Sequence, residues 1–386
     1  MGDRCAVVLV PGIFGFDSFG PPAAPRIEYF AGVVGELMHA TGWPRDRFVV
    51  HVPSPTGPLA ARVASLHQRV EEVLSRPGVE RVHLVGHSTG GLDARLLVNP
   101  RYSWPGAPDL RERRERVARA VASVITVAAP FGGSPLARRL RGGLGAVVPA
   151  LNLLSILLMD RGLGLRTQLA LVGPALRQLL PGRHGERNVN RLGELALALI
   201  ERRDQETAEQ VVRFLRAIVR DQRLHGDLTP EAMADLNQAI AGADSDSIAS
   251  FVTVSPPPPR KLVGRHPAAR LFYAIAYRLA TPEGDARRRF PDGPWLLDSR
   301  ARDDLRTKTA GDGVVPSASQ VLAGRRAAAI VLADHLDVIG HYEGSHVGAT
   351  YLKSGADFTN ASFSALWRAV GLRLGDAEAR RTSVAA

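Results

Sequence analysis

The pentapeptide G-H-S-T-G at residues 86–90 constrains this chain more than any other feature. It follows directly on Val82–Gly86, a short apolar stretch typical of a buried strand, and precedes Gly91–Val98, which has helical spacing. A serine on so tight a strand-to-helix turn needs glycine two positions away on either side, because side chains there would collide. The pattern therefore predicts that Ser88 lies on a sharp turn of an α/β sheet.

Strand and helix patterns alternate along much of the remaining chain. Apolar, β-branched stretches predict strands at Cys5–Val10, Phe48–Val52, Val117–Val127, Ser250–Val254 and Ala327–Leu332. Apolar residues three and four apart predict helices at Tyr29–Met38, Leu59–Leu74 and Ala268–Leu279. This alternation predicts the α/β class, with a mostly parallel central sheet flanked by helices. Loops at the carboxyl ends of such strands are where active sites lie.

One long segment departs from this rhythm and predicts an inserted helical cap. We expect a first core part at 1–134, a cap or lid at 135–248 and a second core part at 249–386. Within the cap, the almost uncharged run Leu144–Met159 is short for a bilayer span of about twenty residues. A buried cap helix is the first interpretation of this run, and a lid that contacts a lipid interface transiently is the alternative.

Composition narrows the class of protein. The chain has 386 residues, 45% of them hydrophobic, and a net charge of +11 that comes mostly from arginine. The basic run Arg111–Arg116 is interleaved with glutamate, which favours a solvated helix face over a nucleic-acid surface. The single cysteine, Cys5, excludes an internal disulfide framework. The first residues lack a signal-peptide pattern and no stretch predicts a transmembrane segment, so we expect a cytoplasmic protein, or a secreted one if this start is processed or engineered.

The chemistry that suits Ser88 requires two partners. A serine hydroxyl is a weak nucleophile until a base takes its proton, and a carboxylate must fix that base in the correct tautomer. Asp312 lies in the turn sequence G-D-G at 311–313, and His335 follows the last predicted strand by three residues. The order Ser88, Asp312, His335 is that of the α/β-hydrolases. We therefore predict these three as the catalytic residues.

Other residues compete for the two partner roles. His341 and His346 are alternatives to His335, and His87 is expected to have a structural role beside the nucleophile. The alternative acids are Asp298, Asp303, Asp304 and Asp334. Backbone N–H groups of Ile13, in the glycine-punctuated loop after the first strand, and of Thr89 are the predicted oxyanion donors.

Four motifs together resemble the bacterial triacylglycerol lipases of the Pseudomonas and Burkholderia type. They are V-L-V-P-G-I-F-G-F-D at 8–17, G-H-S-T-G-G-L-D-A-R at 86–95, G-D-G-V-V at 311–315 and H-L-D at 335–337, with a weaker similarity at 228–232. The resemblance implies an α/β-hydrolase fold, a lid, and hydrolysis of carboxylic esters with a preference for acyl-glycerol-like lipids. Acyl transfer by the same triad, or a catalytically silent protein that binds lipid or protein, are the alternatives.

The chain also departs from that family. Pro11 replaces the family's histidine before the oxyanion glycine, Thr89 replaces its glutamine, and Cys5 alone cannot form its disulfide. No cofactor is required by the predicted chemistry. The resemblance implies a structural Ca²⁺ near the catalytic histidine, held by Asp304 and Asp337, although His341 stands where the family has a glutamine and Ca²⁺ prefers oxygen ligands.

Overall fold

A computed structural model describes the chain at residues 4–20, 26–105, 110–140, 205–259, 267–282, 290–297, 305, 311–346, 348 and 350–385. In chain order the strands are β1 (Arg4–Val10), β2 (Ser18–Phe19), β3 (Ile27–Glu28), β4 (Phe48–Val50), β5 (Val79–His87), β6 (Val121–Val127), β7 (Ile248–Val254) and β8 (Ala329–Leu332). The helices are α1 (Val33–Thr41), α2 (Leu59–Leu74), α3 (Thr89–Val98), α4 (Leu110–Ala120), α5 (Pro135–Arg139), α6 (Gln205–Arg220), α7 (Leu224–Asp227), α8 (Pro230–Ala239), α9 (Pro267–Ala280) and α10 (Asn360–Ala385).

Six of these strands form a parallel sheet in the order β4-β1-β5-β6-β7-β8, and β2 pairs with β3 in a separate antiparallel ribbon. The predicted mostly parallel sheet flanked by helices is confirmed. Because all six strands run in one direction, the loops after β1, β5 and β8 emerge at the same edge of the sheet.

The packing of β1 explains why every residue of the strand after Arg4 is apolar. Ala6, Val8 and Val10 pack on one face of the sheet, while Val7 and Leu9 pack on the other. Successive strand side chains point to opposite faces, and here helices cover both faces. Burying one such valine or leucine stabilises the fold by about 1.5–3 kcal/mol, so β1 is held firmly between β4 and β5.

Most predicted elements lie within a few residues of the observed ones, but the strand prediction at Val117–Val127 was wrong in its first part. Residues 117–120 belong to α4, and only β6 itself is extended. The alternating arginine and glutamate pattern continues as helix up to Ala120, with Val117 as its buried residue. Apolar content alone cannot separate one buried helix position from the start of a strand.

The structure describes only the two ends of the predicted cap. Residues 141–204, which include the apolar run Leu144–Met159, lie outside the described residues. Helices α5 to α8 belong to the remaining parts of the predicted 135–248 segment. The helix α6 contacts the core where the Gln210 side chain accepts from the Gly20 N–H and Thr56 donates to the Ile218 carbonyl. The domain division therefore stays a prediction.

The helix α10 covers the face of the sheet on which Val7 and Leu9 pack. Trp367 is fully buried and donates its indole N–H to the Val338 carbonyl at 2.9 Å. Further along the helix, Glu378 bonds to Arg81 at 3.0 Å and to His83 at 3.1 Å, which ties α10 to the amino half of β5. Within the described residues, no helix is both long and apolar enough to cross a membrane.

Candidate active site

Ser88 occupies a strained turn between β5 and α3. Its backbone has φ 53° and ψ −129°, and its N–H donates to the Val127 carbonyl at 2.9 Å. A Cβ at Gly86 would lie 2.4 Å from the Gly90 carbonyl carbon, and a Cβ at Gly90 would lie 2.0 Å from the Val10 carbonyl oxygen. Only glycine fits at both positions, so the turn predicted from the pentapeptide requires its two flanking glycines.

The three predicted catalytic side chains lie in series. The His335 Nε2 atom is 2.9 Å from Ser88 Oγ, and His335 Nδ1 is 2.8 Å from Asp312 Oδ2. All three residues are buried. Because an ionised carboxylate only accepts hydrogen bonds, Nδ1 carries the imidazole hydrogen and Nε2 accepts from the serine hydroxyl. This arrangement prepares the hydroxyl for loss of its proton to the imidazole.

Asp312 is held by a dense set of donors. Its Oδ1 atom accepts from the N–H groups of Val314 and Val315 at 2.9 and 2.8 Å. Its Oδ2 atom accepts from the Thr253 hydroxyl at 2.6 Å and from the Gln320 amide at 3.2 Å. These bonds fix the carboxylate so that one oxygen faces His335. Sequence reasoning missed Thr253 and Gln320, because no local pattern tells which polar side chain of a strand or turn will meet a distant carboxylate.

The competing residues lie elsewhere. His341 is buried, and its Nε2 lies 3.1 Å from the Tyr29 carbonyl oxygen. His346 is exposed to solvent, and its Nε2 lies 3.2 Å from the Asn360 side-chain nitrogen. Asp334 accepts from the N–H groups of Leu336 and Asp337. The remaining alternatives Asp298, Asp303 and Asp304 lie outside the described residues.

The two predicted oxyanion donors flank the serine. No acceptor among the described residues takes the N–H of Ile13 or of Thr89. The backbone before Ile13 touches the nucleophile, because a Cβ at Gly12 would lie 2.6 Å from Ser88 Cβ and 3.1 Å from its Oγ. Thr89 is fully buried and Ile13 is partly buried. Amides without a partner are rare in protein interiors, which is compatible with the predicted donor role.

A buried ion pair supports the loop that carries Ile13. Arg62 bonds to Asp93 on α3 at 2.6 Å, to the Pro11 carbonyl at 3.0 Å and to the Ser54 carbonyl at 2.7 Å. Burial raises the pKa of Asp93, and the Arg62 guanidinium opposes that rise. Removing one partner of such a pair typically costs about 3–5 kcal/mol. The pair therefore fixes the oxyanion loop against the helix behind the serine, a role with no signal in the sequence.

The predicted calcium ligands are only partly described. Asp337 is buried and its Oδ2 accepts from the Asp334 N–H at 2.8 Å, whereas Asp304 lies outside the described residues. Burial and the nearby Asp334 carboxylate raise the pKa of Asp337 well above its usual range, and a cation would relieve this repulsion. His341 offers nitrogen, which Ca²⁺ does not favour. The calcium site stays a prediction, and no chemistry below depends on it.

Comparisons with known proteins agree with the sequence resemblance. Over 152 residues, 38% of this chain, it is 33% identical to a triacylglycerol lipase of Pseudomonas fragi, of which it covers 43%. Triacylglycerol lipases of Vibrio cholerae and Burkholderia plantarii are 33% and 32% identical over 36% and 35% of the chain. The matched segment spans less than half of each of these relatives. No protein-family model matches the chain.

Two solved structures extend the likeness to the whole fold. A Staphylococcus hyicus lipase has a TM-score of 0.53 at 13% identity, with 99% of this chain and 97% of that one covered. Lipase 1 of Pelosinus fermentans has a TM-score of 0.50 at 16% identity, with 97% and 99% covered. The chain thus has the α/β-hydrolase fold and is similar, over rather more than a third of its length, to bacterial triacylglycerol lipases.

Proposed function

We propose that this chain is a serine carboxylic ester hydrolase, a triacylglycerol lipase or an esterase, that works through an acyl-enzyme intermediate. The observation that carries the proposal is the series of hydrogen bonds from Ser88 Oγ through His335 to Asp312. The similarity to triacylglycerol lipases supports the same reaction class.

In the first half of the proposed reaction, Ser88 Oγ attacks the ester carbonyl carbon while His335 Nε2 takes the hydroxyl proton. Asp312 stabilises the imidazolium that forms. The carbonyl oxygen becomes an oxyanion and accepts from the N–H groups of Ile13 and Thr89, each worth roughly 3 kcal/mol of barrier. The carbon–oxygen bond to the alcohol then breaks, and the alcohol leaves with the proton from His335.

In the second half, water replaces the alcohol. His335 Nε2 takes a proton from water as its oxygen attacks the acyl carbon, and the same amides hold the second oxyanion. Collapse of this intermediate breaks the bond to Ser88 Oγ, which regains its proton from His335. The products are one carboxylic acid and one alcohol for each water consumed.

An apolar acyl group is the substrate portion that the surroundings favour. Phe16 stacks on Phe19 at 4.3 Å between ring centroids, and both contact Phe214 of α6 at 5.8 and 5.4 Å. Phe16 also packs against Tyr29, whose hydroxyl accepts from the Gly12 N–H beside the nucleophile. These rings adjoin the Gly12 loop through Tyr29, and an apolar surface beside a site favours hydrocarbon over charged substrates. We extend the proposal to lipid or acyl esters met at an interface through the cap.

The test compares the wild-type chain with Ser88→Ala on p-nitrophenyl esters of short and long acyl chains. We expect loss of about 10⁴-fold or more in kcat, and labelling of the wild type alone by a fluorophosphonate at Ser88. Full activity of the variant, or a fluorophosphonate adduct on another residue, would contradict the mechanism. Repeating the profile with a chelator tests the calcium prediction separately.

A further inference from the structure

Tyr29 and His87 link the oxyanion loop to the main chain of the catalytic histidine. The Tyr29 hydroxyl lies 2.9 Å from the Gly12 nitrogen and 2.8 Å from His87 Nδ1. On the other side of its ring, His87 Nε2 lies 3.0 Å from the His335 carbonyl oxygen. The atoms at these contacts are buried, so water does not compete for the bonds.

The chemistry of the end groups fixes the direction of every hydrogen bond. A carbonyl only accepts, so His87 Nε2 must carry a hydrogen, and an amide N–H only donates, so the Tyr29 oxygen must accept from Gly12. Burial and the neighbouring His335 hold the pKa of His87 well below its usual range, which leaves the ring neutral and Nδ1 without a hydrogen. The Tyr29 hydroxyl therefore donates to Nδ1. The chain runs from the Gly12 N–H through Tyr29 and His87 to the His335 carbonyl.

The two neighbouring histidines are consequently opposite tautomers. His335 carries its hydrogen on Nδ1, facing Asp312, and presents a bare Nε2 to Ser88. His87 carries its hydrogen on Nε2 and presents a bare Nδ1 to Tyr29. The ring centroids are 4.8 Å apart, so the two imidazoles are in direct contact.

We propose that Tyr29 and His87 are positioning residues that set the distance between the oxyanion donor of Ile13 and the catalytic imidazole. The inference rests on the proposed function, since it assigns both residues to the same reaction. Gly12 precedes Ile13 directly, so its N–H anchors the peptide unit immediately before the one that presents the donor. Donors to an oxyanion must be held within a fraction of an ångström of their productive positions. This series of hydrogen bonds connects the loop that presents the Ile13 donor to the histidine that acts as the base.

The first variant is Tyr29→Phe, which removes one oxygen and retains the ring that packs on Phe16 and Phe30. Loss of a whole oxyanion donor costs about 10²–10³-fold in kcat, so a loosened donor should cost roughly tenfold to thirtyfold. We expect this loss in kcat per fluorophosphonate-titrated site, with KM within about twofold, because ground-state binding does not use the donor.

The matched control is Tyr342→Phe. The Tyr342 hydroxyl also donates to a side chain, that of Asn360, in a partly buried contact, and its ring packs on Phe358 and Phe363. We expect kcat per titrated site to be unchanged. An equal fall in both variants would mean that losing any tyrosine hydroxyl with a hydrogen-bond partner suffices, and would overturn the proposal.

Inhibitor affinity separates positioning from general damage. An alkylboronic acid forms a tetrahedral adduct with Ser88 Oγ and places an oxygen in the oxyanion position. Its Ki should rise in Tyr29→Phe by the same factor as kcat falls, whereas an ether analogue of the substrate should keep its affinity. Equal weakening of both inhibitors would contradict the proposal.

A second variant breaks the same series of hydrogen bonds at His87. His87→Gln keeps an amide donor for the His335 carbonyl and removes the acceptor at the Nδ1 position. Because both substitutions break one linked series, the double variant should lose no more kcat than the less active of the two single variants. Multiplied losses would show that the residues act independently.

A ¹⁵N NMR measurement needs no turnover, so it distinguishes failure of this inference from failure of the proposed function. The ¹⁵N signals of His87 at neutral pH should be those of a hydrogen on Nε2 and a bare Nδ1, and Tyr29→Phe should shift the Nδ1 signal. A hydrogen on Nδ1 would overturn the inference whatever the chain hydrolyses. Inactivity of the wild type with the expected signals would reject the ester hydrolase alone.

Discussion

Serine, histidine and carboxylate side chains are linked in series at two places in the described part of this chain. Toward the carboxyl ends of the strands, His335 joins Ser88 to Asp312. Toward the amino ends, His83 joins Ser123 at 2.8 Å to Glu378 at 3.1 Å. The residue types and distances are nearly the same, so the chemistry must differ for other reasons.

The surroundings of the two serines provide those reasons. Ser123 lies inside β6, on ordinary extended backbone, whereas Ser88 projects from a strained turn between unpartnered amides. The carboxylates differ as well. Glu378 is paired with Arg81, while Asp312 is held by uncharged donors that leave its charge for the imidazole. A serine–histidine–carboxylate series therefore needs a turn and an oxyanion site before it resembles a catalyst.

The second series joins α10 to β5 through Glu378 and does not suit a metal ion. Cys5 Sγ, His83 and Glu378 place donor atoms within 4.8 Å of one another. However, Arg47 bonds to Cys5 Sγ and Arg81 to Glu378, so guanidinium groups already supply the positive charge. Burial raises the pKa of the Cys5 thiol to about 11, and the nearby Glu378 carboxylate adds to the rise. A protonated thiol is a poor metal ligand.

The largest effect should come from neutralising one carboxylate of each series. Asp312→Asn should lower kcat by about 10⁴-fold, because the amide favours the wrong tautomer of His335. Glu378→Gln should leave kcat within about twofold and lower the free energy of unfolding by roughly 1 kcal/mol, since its ion pair is partly exposed. Ester kinetics and urea unfolding of both variants measure the contrast. Equal losses of kcat would erase the distinction between the series.

His51 is a buried imidazole that belongs to neither series. Its Nε2 atom has no hydrogen-bond partner among the described residues, and burial, aided by Arg62 and Arg69, lowers its pKa to about 4. The unfolded ring takes a proton as the pH falls through about 6.5, whereas the folded ring does not until about pH 4. Stability is therefore lost on acidification within this window, by about 3 kcal/mol in total.

Urea unfolding of the wild type and His51→Phe between pH 7 and pH 4 measures this loss. The variant should lose less stability on acidification, because it has no imidazole to protonate at this position. Parallel stability profiles for the two proteins would show that His51 contributes nothing to acid sensitivity. His83, which has hydrogen-bond partners on both nitrogens, is the contrasting case.

Removing one hydroxyl group at each series should change kcat less than removing a carboxylate charge does. Thr253→Val removes the donor that lies 2.6 Å from Asp312 Oδ2 and should reduce kcat roughly tenfold, the equivalent of one hydrogen bond to a charged group. Ser123→Ala removes the bond to His83 Nδ1 and should leave kcat unchanged. Kinetics per titrated site distinguish the two, and a normal kcat in Thr253→Val would remove Thr253 from the positioning of Asp312.

The smallest effect concerns the backbone. Strain at φ 53° costs about 1–3 kcal/mol, and glycine relieves it while losing roughly 0.4–1 kcal/mol through the more flexible unfolded chain. Ser88→Gly should thus be more stable than Ser88→Ala by about 1 kcal/mol. In β6 the order should reverse, with Ser123→Gly less stable than Ser123→Ala. Thermal unfolding of the four variants tests whether strain is confined to the turn.

The sequence predicted the features that depend on local spacing. The glycines around Ser88, the strand before it and the turn around Asp312 are short patterns with a steric cause, and they placed the three side chains at one edge of the sheet. The strand at 117–127 failed in part, because burial of Val117 is compatible with either helix or strand. Thr253, Arg62 and the Tyr29–His87 link could not be predicted, since each depends on contacts across tens of residues or more. Gln320 is only eight residues from Asp312, but no local pattern indicates that its side chain turns back to that carboxylate.

The strand order also has a consequence for synthesis of the chain. After β1 has paired with β4 and β5, each later strand joins the sheet at the same growing edge, in the order in which it leaves the ribosome. The serine turn can therefore form on a nascent chain that still lacks β8, and His335 arrives 247 residues after Ser88. The helix α10, which packs on α1, follows later still. A ribosome-bound chain would thus carry a formed serine turn that lacks its histidine partner until the segment after β8 has been made.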